Sequence, residues 1–218
     1  PLPGYPEVWI DAYEIGVYGS PDCSGEPYGV GADDYPADWP AEGTANVDLY
    51  ACSLGGVMPS GYLSWHRARR ACEAQGKQLC QALWWGDGCR GGAGRVYPYG
   101  SAFFEGWCND AWGGAGAVLP TGSLPECNTN GLTWDMSGNL AEWLQDWDPR
   151  QPDCALTAGF HYLCELCDYG QTCRPCDQDD LSEIMQLSEC RADDENTECF
   201  PRGQVAPYLG TRCCLQPG

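Results

Sequence analysis

Apolar positions recur at two different periods along this chain, and they place its elements. Val8-Trp9-Ile10 and Tyr13-Glu14-Ile15-Gly16-Val17-Tyr18 are dense in β-branched and aromatic residues and predict strands. Trp65, Ala68, Ala71 and Cys72 recur at helical spacing after Ser64, a good N-cap, and before Gly76, a good stop. The spacing predicts a helix over 64–75 with Arg67 and Arg70 on its outward face. A shorter helix or turn is expected over 81–85. The tail 208–215 reads as a closing strand. Between these lie loops. Residues 21–61 are rich in Gly, Pro and Asp. Residues 86–131 are rich in Gly, Pro, Asn and aromatics, and read as ordered loops because they carry three Cys and four Trp or Phe. Residues 132–147 are dense in large apolar groups. A Cys-rich, acidic insertion is expected at about 164–200, within a single domain spanning 1–218.

Composition changes this picture in two ways. The net charge is −20, with 31 acidic residues against 11 basic ones. Nucleic acid and anionic membranes both need a basic face, so neither is expected as a partner. No apolar run approaches the ~18 residues of a membrane span. The acidity reads as a solvated surface, or as adaptation to a salty or calcium-rich exterior; the run over 177–195 could bind cations or a basic partner. The second change comes from 16 cysteines: Cys23, Cys52, Cys72, Cys80, Cys89, Cys108, Cys127, Cys154, Cys164, Cys167, Cys173, Cys176, Cys190, Cys199, Cys213 and Cys214. That density is a framework in an oxidising compartment and a liability in a reducing one. Up to eight disulfides with no thiol left over are expected, and the start at Pro1 fits removal of a signal peptide, so the protein is expected to be secreted or at a cell surface. Pairing is not readable from spacing, but the adjacent Cys213 and Cys214 are expected to reach two different neighbours. Cys164-x2-Cys167-x5-Cys173-x2-Cys176 leaves a thiolate metal site open beside the disulfide reading.

Several blocks resemble the formylglycine-generating enzyme (sulfatase-modifying factor) family, in that family's order. They are Trp9-Ile10-Asp11-Ala12-Tyr13-Glu14-Ile15, Ser64-Trp65-His66-Arg67-Ala68 with Gly76-Lys77-Gln78-Leu79, and Gly94-Arg95-Val96-Tyr97-Pro98-Tyr99-Gly100. Then come Pro120-Thr121-Gly122-Ser123, Asp135-Met136-Ser137-Gly138-Asn139-Leu140-Ala141-Glu142-Trp143 and Leu209-Gly210-Thr211-Arg212-Cys213. The resemblance implies a loop-rich α+β fold of the C-type-lectin-like kind, with small twisted antiparallel sheets and two short helices. It also implies a calcium site at Asp135, Gly138, Leu140 and Glu142, and a weaker one beginning at Asn109 and Asp110. Hard oxygen ligands in irregular geometry suit calcium; the alternative for Asp135 and Glu142 is a solvated acidic turn.

The family's oxidase uses a Cu(I)-binding thiol pair after an Arg-Gly-Gly-Ser stretch. The matching positions here are Thr157-Ala158-Gly159-Phe160, with Cys164 and Cys167 separated by two residues rather than four. Soft thiolates suit Cu(I), but the surrounding residues have changed. The family's three-His iron branch is excluded, since only His66 and His161 are present, and both read as packing residues. Trp84, Trp85, Trp134, Trp143 and Trp147 could form a platform for glycan or peptide, but read first as core. The expectation is a secreted, calcium-stabilised, catalytically inactive module serving as a structural or interaction subunit with other protein subunits. The alternatives are a copper-dependent oxidase converting a protein cysteine to formylglycine, and a lectin-like binder of glycan or peptide using loops 21–61 and 101–119.

Overall fold

The computed structural model describes residues 1–148, 151–163, 165–168, 172–192 and 198–217, with the backbone alone for 165–168, 172–173 and 178. Helix α1, Trp65–Ala74, forms where its periodicity places it. Ser64 Oγ accepts from the Arg67 amide, satisfying one of the orphan donors of the first turn. At the other end Gly76 has φ +68°, its amide reaches the Glu73 carbonyl, and the Lys77 amide reaches the Cys72 carbonyl. That pair of bonds stops the helix in a left-handed turn that glycine adopts without strain. Helix α2, Ala82–Arg90, is longer than the turn expected over 81–85. Its first amide is capped from a distance by Asp146 Oδ2, a partner no local pattern reveals.

The strands are short and form four small sheets. Strand β1 (Trp9–Ile10), β11 (Cys213–Leu215) and β4 (Gln78–Leu79) make an antiparallel sheet in the order β1-β11-β4. Strand β2 (Ile15–Tyr18) pairs with β3 (Tyr50–Ser53), so the 21–61 loop region contains a strand. The largest sheet, in the order β10-β5-β6-β9, joins Leu209–Gly210, Ala141–Trp147, Cys154–Ala158 and Glu198–Pro201. Its β10–β5 pair is parallel, against the antiparallel-only expectation. Strands β7 (Glu165–Asp168) and β8 (Thr172–Pro175) form a hairpin, followed by a 3-10 turn (Gln178–Asp180) and a third helix, α3 (Leu181–Leu187). The expected closing strand is two strands in different sheets, divided at Thr211-Arg212.

Two main cores lie under these elements. One packs α1 and β2–β3 against Trp143, Phe200 and Tyr208. The other packs α2 against Met136, Leu144 and Leu156. Trp84, Trp85 and Trp143 are core, whereas Trp147 is exposed. Arg67 departs from expectation. It is buried, donates to Asp33 Oδ1 at 2.7 Å and to the Trp39 carbonyl, and lies 4.5 Å from the Tyr35 ring centroid. Six bridges are described: Cys23–Cys52, Cys72–Cys213, Cys80–Cys214, Cys89–Cys190, Cys108–Cys127 and Cys154–Cys199. Cys213 and Cys214 do reach different neighbours, one on α1 and one just after β4. Cys176 is also disulfide-bonded, and no cysteine among the described residues is free.

Candidate functional site

The signature segment 135–143 and the C-terminal 209–213 converge on one buried ion pair. Arg212 donates through Nε to both oxygens of Glu142, at 2.9 and 2.7 Å, and through Nη2 to Oε1 at 2.6 Å. Its remaining donors reach the carbonyls of Asp11, Ala12 and Trp134. Trp85 Nε1 donates to Glu142 Oε2 at 2.6 Å. Both residues are almost fully buried, so this full set of partners is what makes the charges tolerable. Beside them Glu14 is fully buried, accepting from the Leu140 amide at 2.8 Å and from Asn139 Nδ2. Burial, then the charges of Asp135 and Glu142, push the Glu14 carboxyl well above its ordinary range. Asp135, at φ +56°, accepts from the Gly122 amide at 2.7 Å, and burial pushes it up to about 6.

Three carboxyl groups thus surround one guanidinium, which bonds Glu142, while burial favours the neutral form of the other two. Of the four residues expected to hold calcium, Asp135 fits a cation: only its Oδ2 is hydrogen-bonded. Glu142 does not, because both its oxygens are already engaged by Arg212 and Trp85. The Gly138 amide donates to the Gly159 carbonyl, and the Leu140 amide to Glu14. The weaker pair abuts the same segment. Asn109 Nδ2 donates to Asn139 Oδ1 and the Ala117 carbonyl, and its Oδ1 accepts from the Ala115 amide. Its carboxamide therefore closes loop 109–117. A Cβ at Gly138 would stand 2.4 Å from the Asn109 carbonyl, so only glycine lets the two segments meet. Asp110 accepts from the Trp112 amide through Oδ1, while its buried Oδ2 has no partner among the described residues; burial pushes it up to about 7. Among the described residues, no three His, Cys, Asp or Glu side chains are grouped to hold a metal.

Of the thiol pair, Cys164 lies outside the described residues. Cys167 lies on β7, in register with Cys173 on β8. The segment preceding them, 157–161, is described. Phe160 and His161 are buried; His161 stacks on Phe160 at 4.6 Å and on Tyr208 at 4.1 Å between ring centroids. The gap lined by Thr157, Ala158, Phe160, Leu187 and Glu198 admits no water-sized sphere. Burial pushes His161 down to about 3. His66 is partly buried, edge-on to Trp65.

Sequence reasoning missed Glu14, Arg212 and Trp85 as members of the hub. The available signal was an acid alone among strand-forming residues, Tyr13-Glu14-Ile15, and an arginine flanked by Thr211 and Cys213 in a closing strand. It also missed a surface aromatic cluster in loop 97–107. There Tyr97 stacks on Tyr99, Tyr99 meets Trp107 edge-on, and Phe104 stacks on Trp107 at 4.3 Å, with Phe104 and Trp107 partly exposed.

Comparison with known proteins agrees with this architecture. The model of the family described as sulfatase-modifying factor enzyme 1-like domain matches residues 33–204. Among solved structures, CarF is similar with 14% identity and TM-score 0.53, over 75% of this chain and 69% of that one. PvdO from Pseudomonas aeruginosa matches with 14% identity and TM-score 0.52, over 77% and 68%. Treponema denticola variable protein 1 matches with 10% identity and TM-score 0.51, over 94% and 95%. At these identities the likeness concerns the fold. No curated protein matches.

Proposed function

The chain belongs to the sulfatase-modifying factor enzyme 1-like family, and within it we propose that this protein is a disulfide-stapled, catalytically inactive module, secreted or at a cell surface, serving as an interaction subunit of a protein assembly. The observation that carries the reading is the packing of residues 157–161. Phe160 stands where the resembling oxidases carry Ser, and it stacks with His161 and Tyr208 in the core just before the matching thiol positions. An oxidase that receives a peptide thiol needs a cleft at that place. The six described bridges support an oxidising compartment, and among the described residues no helix is long and apolar enough to cross a membrane.

Calcium enters as a stabiliser. Asp135 is the residue that would hold it, through the Oδ1 that no described group engages.

The test is direct. The full chain, loaded with Cu(I) under oxygen, is incubated with a cysteine-containing sulfatase-motif peptide and the peptide mass is read. An unchanged thiol is expected, together with co-migration of the protein with other subunits in native material. Aldehyde formation would overturn the reading in favour of the oxidase.

A further inference from the structure

Among the described residues most of this acidic chain's cations are committed. Arg212 and Arg67 are buried in ion pairs, Lys77 holds Asp11 at 2.6 Å, and Arg174 holds Asp180. Arg202 is different. Its guanidinium carbon lies 5.0 Å from the Trp65 ring centroid and 5.8 Å from that of Trp147, so aromatic rings flank it. Among the described residues that guanidinium has no hydrogen-bond or ion-pair partner, and its Nε is buried without one. The backbone is anchored: the Trp65 amide donates to the Arg202 carbonyl at 3.0 Å, and the Arg202 amide reaches the Asp153 carbonyl. Arg69 lies over the same Trp65 ring at 5.4 Å, and Trp147 is 53% exposed.

We propose that Arg202, flanked by Trp65 and Trp147 with Arg69 alongside, is a recognition site for carboxylate side chains in an acidic segment of a partner protein. A guanidinium lying against aromatic rings is held in orientation and weakly hydrated there, while its edge keeps a planar fork of donors that matches a carboxylate. Trp147 adds an exposed ring against which the partner's backbone and aliphatic atoms pack. Charge complementarity selects an acidic occupant. The net charge of −20 does not oppose this, because at physiological salt charges beyond about 8 Å are largely screened. The nearby acids are Glu73, which pairs with Arg69 at 2.8 Å on the exposed surface, Asp153, whose carbonyl accepts from the Arg202 amide, and Glu42, whose carboxylate lies against Gly203 and whose charge acts on His66. An exposed pair of the first kind contributes little, so a partner carboxylate can displace it.

This deepens the interaction reading above and rests on it. Oxidation of a peptide thiol would overturn that reading while leaving binding here to be judged separately. The probe is an acetylated, amidated hexapeptide of alternating Asp and Glu, titrated into the full chain with tryptophan fluorescence and calorimetry as readouts. Saturable, salt-sensitive binding is expected. Arg202→Lys should weaken it at least tenfold and Arg202→Gln should abolish it. Trp147→Ala, an exposed change that spares folding, should weaken it severalfold at unchanged melting temperature. The proposal is overturned by absent binding, by equal binding in Arg202→Gln, or by equal binding of the Asn/Gln version of the peptide. Tighter binding of a sulfated oligosaccharide would also overturn it, assigning the site to a glycan. So would self-association that is lost in Arg202→Gln without any peptide binding, which would assign it to a second copy.

Discussion

Acidification should expose the cost of keeping His161 neutral. The ring is fully buried between Phe160 and Tyr208, among the described residues neither nitrogen meets hydrogen-bond geometry, and only the Leu163 backbone opposes the loss of its proton. Glu198 Oε2, 3.9 Å from Nε2, is outside hydrogen-bonding reach. Burial pushes the folded pKa down to about 3, against ~6.5 in the unfolded chain. Between those values the unfolded state binds a proton that the folded state refuses, so stability falls as pH drops through 6.5 and goes on falling to about 3. From pH 7 to pH 5 the loss from this one group is about 2 kcal/mol, or roughly 4–8 °C in melting temperature for a chain this size. The raised carboxyls of Asp11, Glu14, Asp110 and Asp135 act with the opposite sign, gaining stability on acidification, so the raw pH profile mixes the two effects. The comparison that isolates His161 is with His161→Phe, which preserves stacking and titrates nowhere. Melting of both proteins at pH 7 and pH 5 should show the wild type losing about 2 kcal/mol more than the variant. An equal response would refute the argument. A larger loss in the variant would mean that Glu198 holds the imidazole charged in the folded state.

The remaining predictions concern the hub and the bridges. Arg212→Met leaves Glu142 buried without its partner and should cost about 3–5 kcal/mol in urea denaturation, with partial recovery in Arg212→Met/Glu142→Gln; a loss below 1 kcal/mol would show the pair to be solvated. Cys72–Cys213 and Cys80–Cys214 close loops of 141 and 134 residues, yet with either intact the other closes a path of only about ten residues. Removing one should therefore cost about 2–3 kcal/mol and removing both substantially more than twice that, read from thermal melts of the Cys→Ser pairs; strict additivity would contradict this. If calcium binds at Asp135, the wild type should melt at lower temperature in chelator than in calcium and Asp135→Asn should lose the difference, whereas superimposed wild-type melts would remove calcium from the account.

What could be read from the sequence was what depends on neighbours in the chain. Helix α1 is specified by Ser64, Gly76 and the Trp65-Ala68-Ala71-Cys72 stripe, and the structure reproduces each. The family blocks gave the fold, because the motif residues pack against one another: Glu142 and Arg212 both lie in quoted blocks. What could not be read depends on residues far apart. Arg67 sits on the helix face read as outward, and Asp33, Tyr35 and Trp39 in a loop without periodicity, with the Tyr62 carbonyl, draw it inward. Strand β3 was hidden because Tyr50–Ser53 is short and preceded by Gly- and Asp-rich sequence; its pairing with β2 and the Cys23–Cys52 bridge hold it there. The calcium expectation treated Glu142 as an open ligand, since nothing local shows that Arg212, 70 residues away, takes both its oxygens.

The closing segment explains how so little regular structure holds a defined surface. Within three residues, Arg212 satisfies the buried carboxylate of β5 and carbonyls near β1, Cys213 ties β11 to α1, and Cys214 ties it to the residue after β4. Each of these bonds joins elements that share little sheet, so their positions are fixed by point attachments rather than by long ladders. Point attachments leave the intervening loops free to differ in sequence without loss of the frame. Arg202, flanked by Trp65 and Trp147, lies with Trp147 outside that attachment network, and their substitution should change what the protein binds before it changes whether the protein folds.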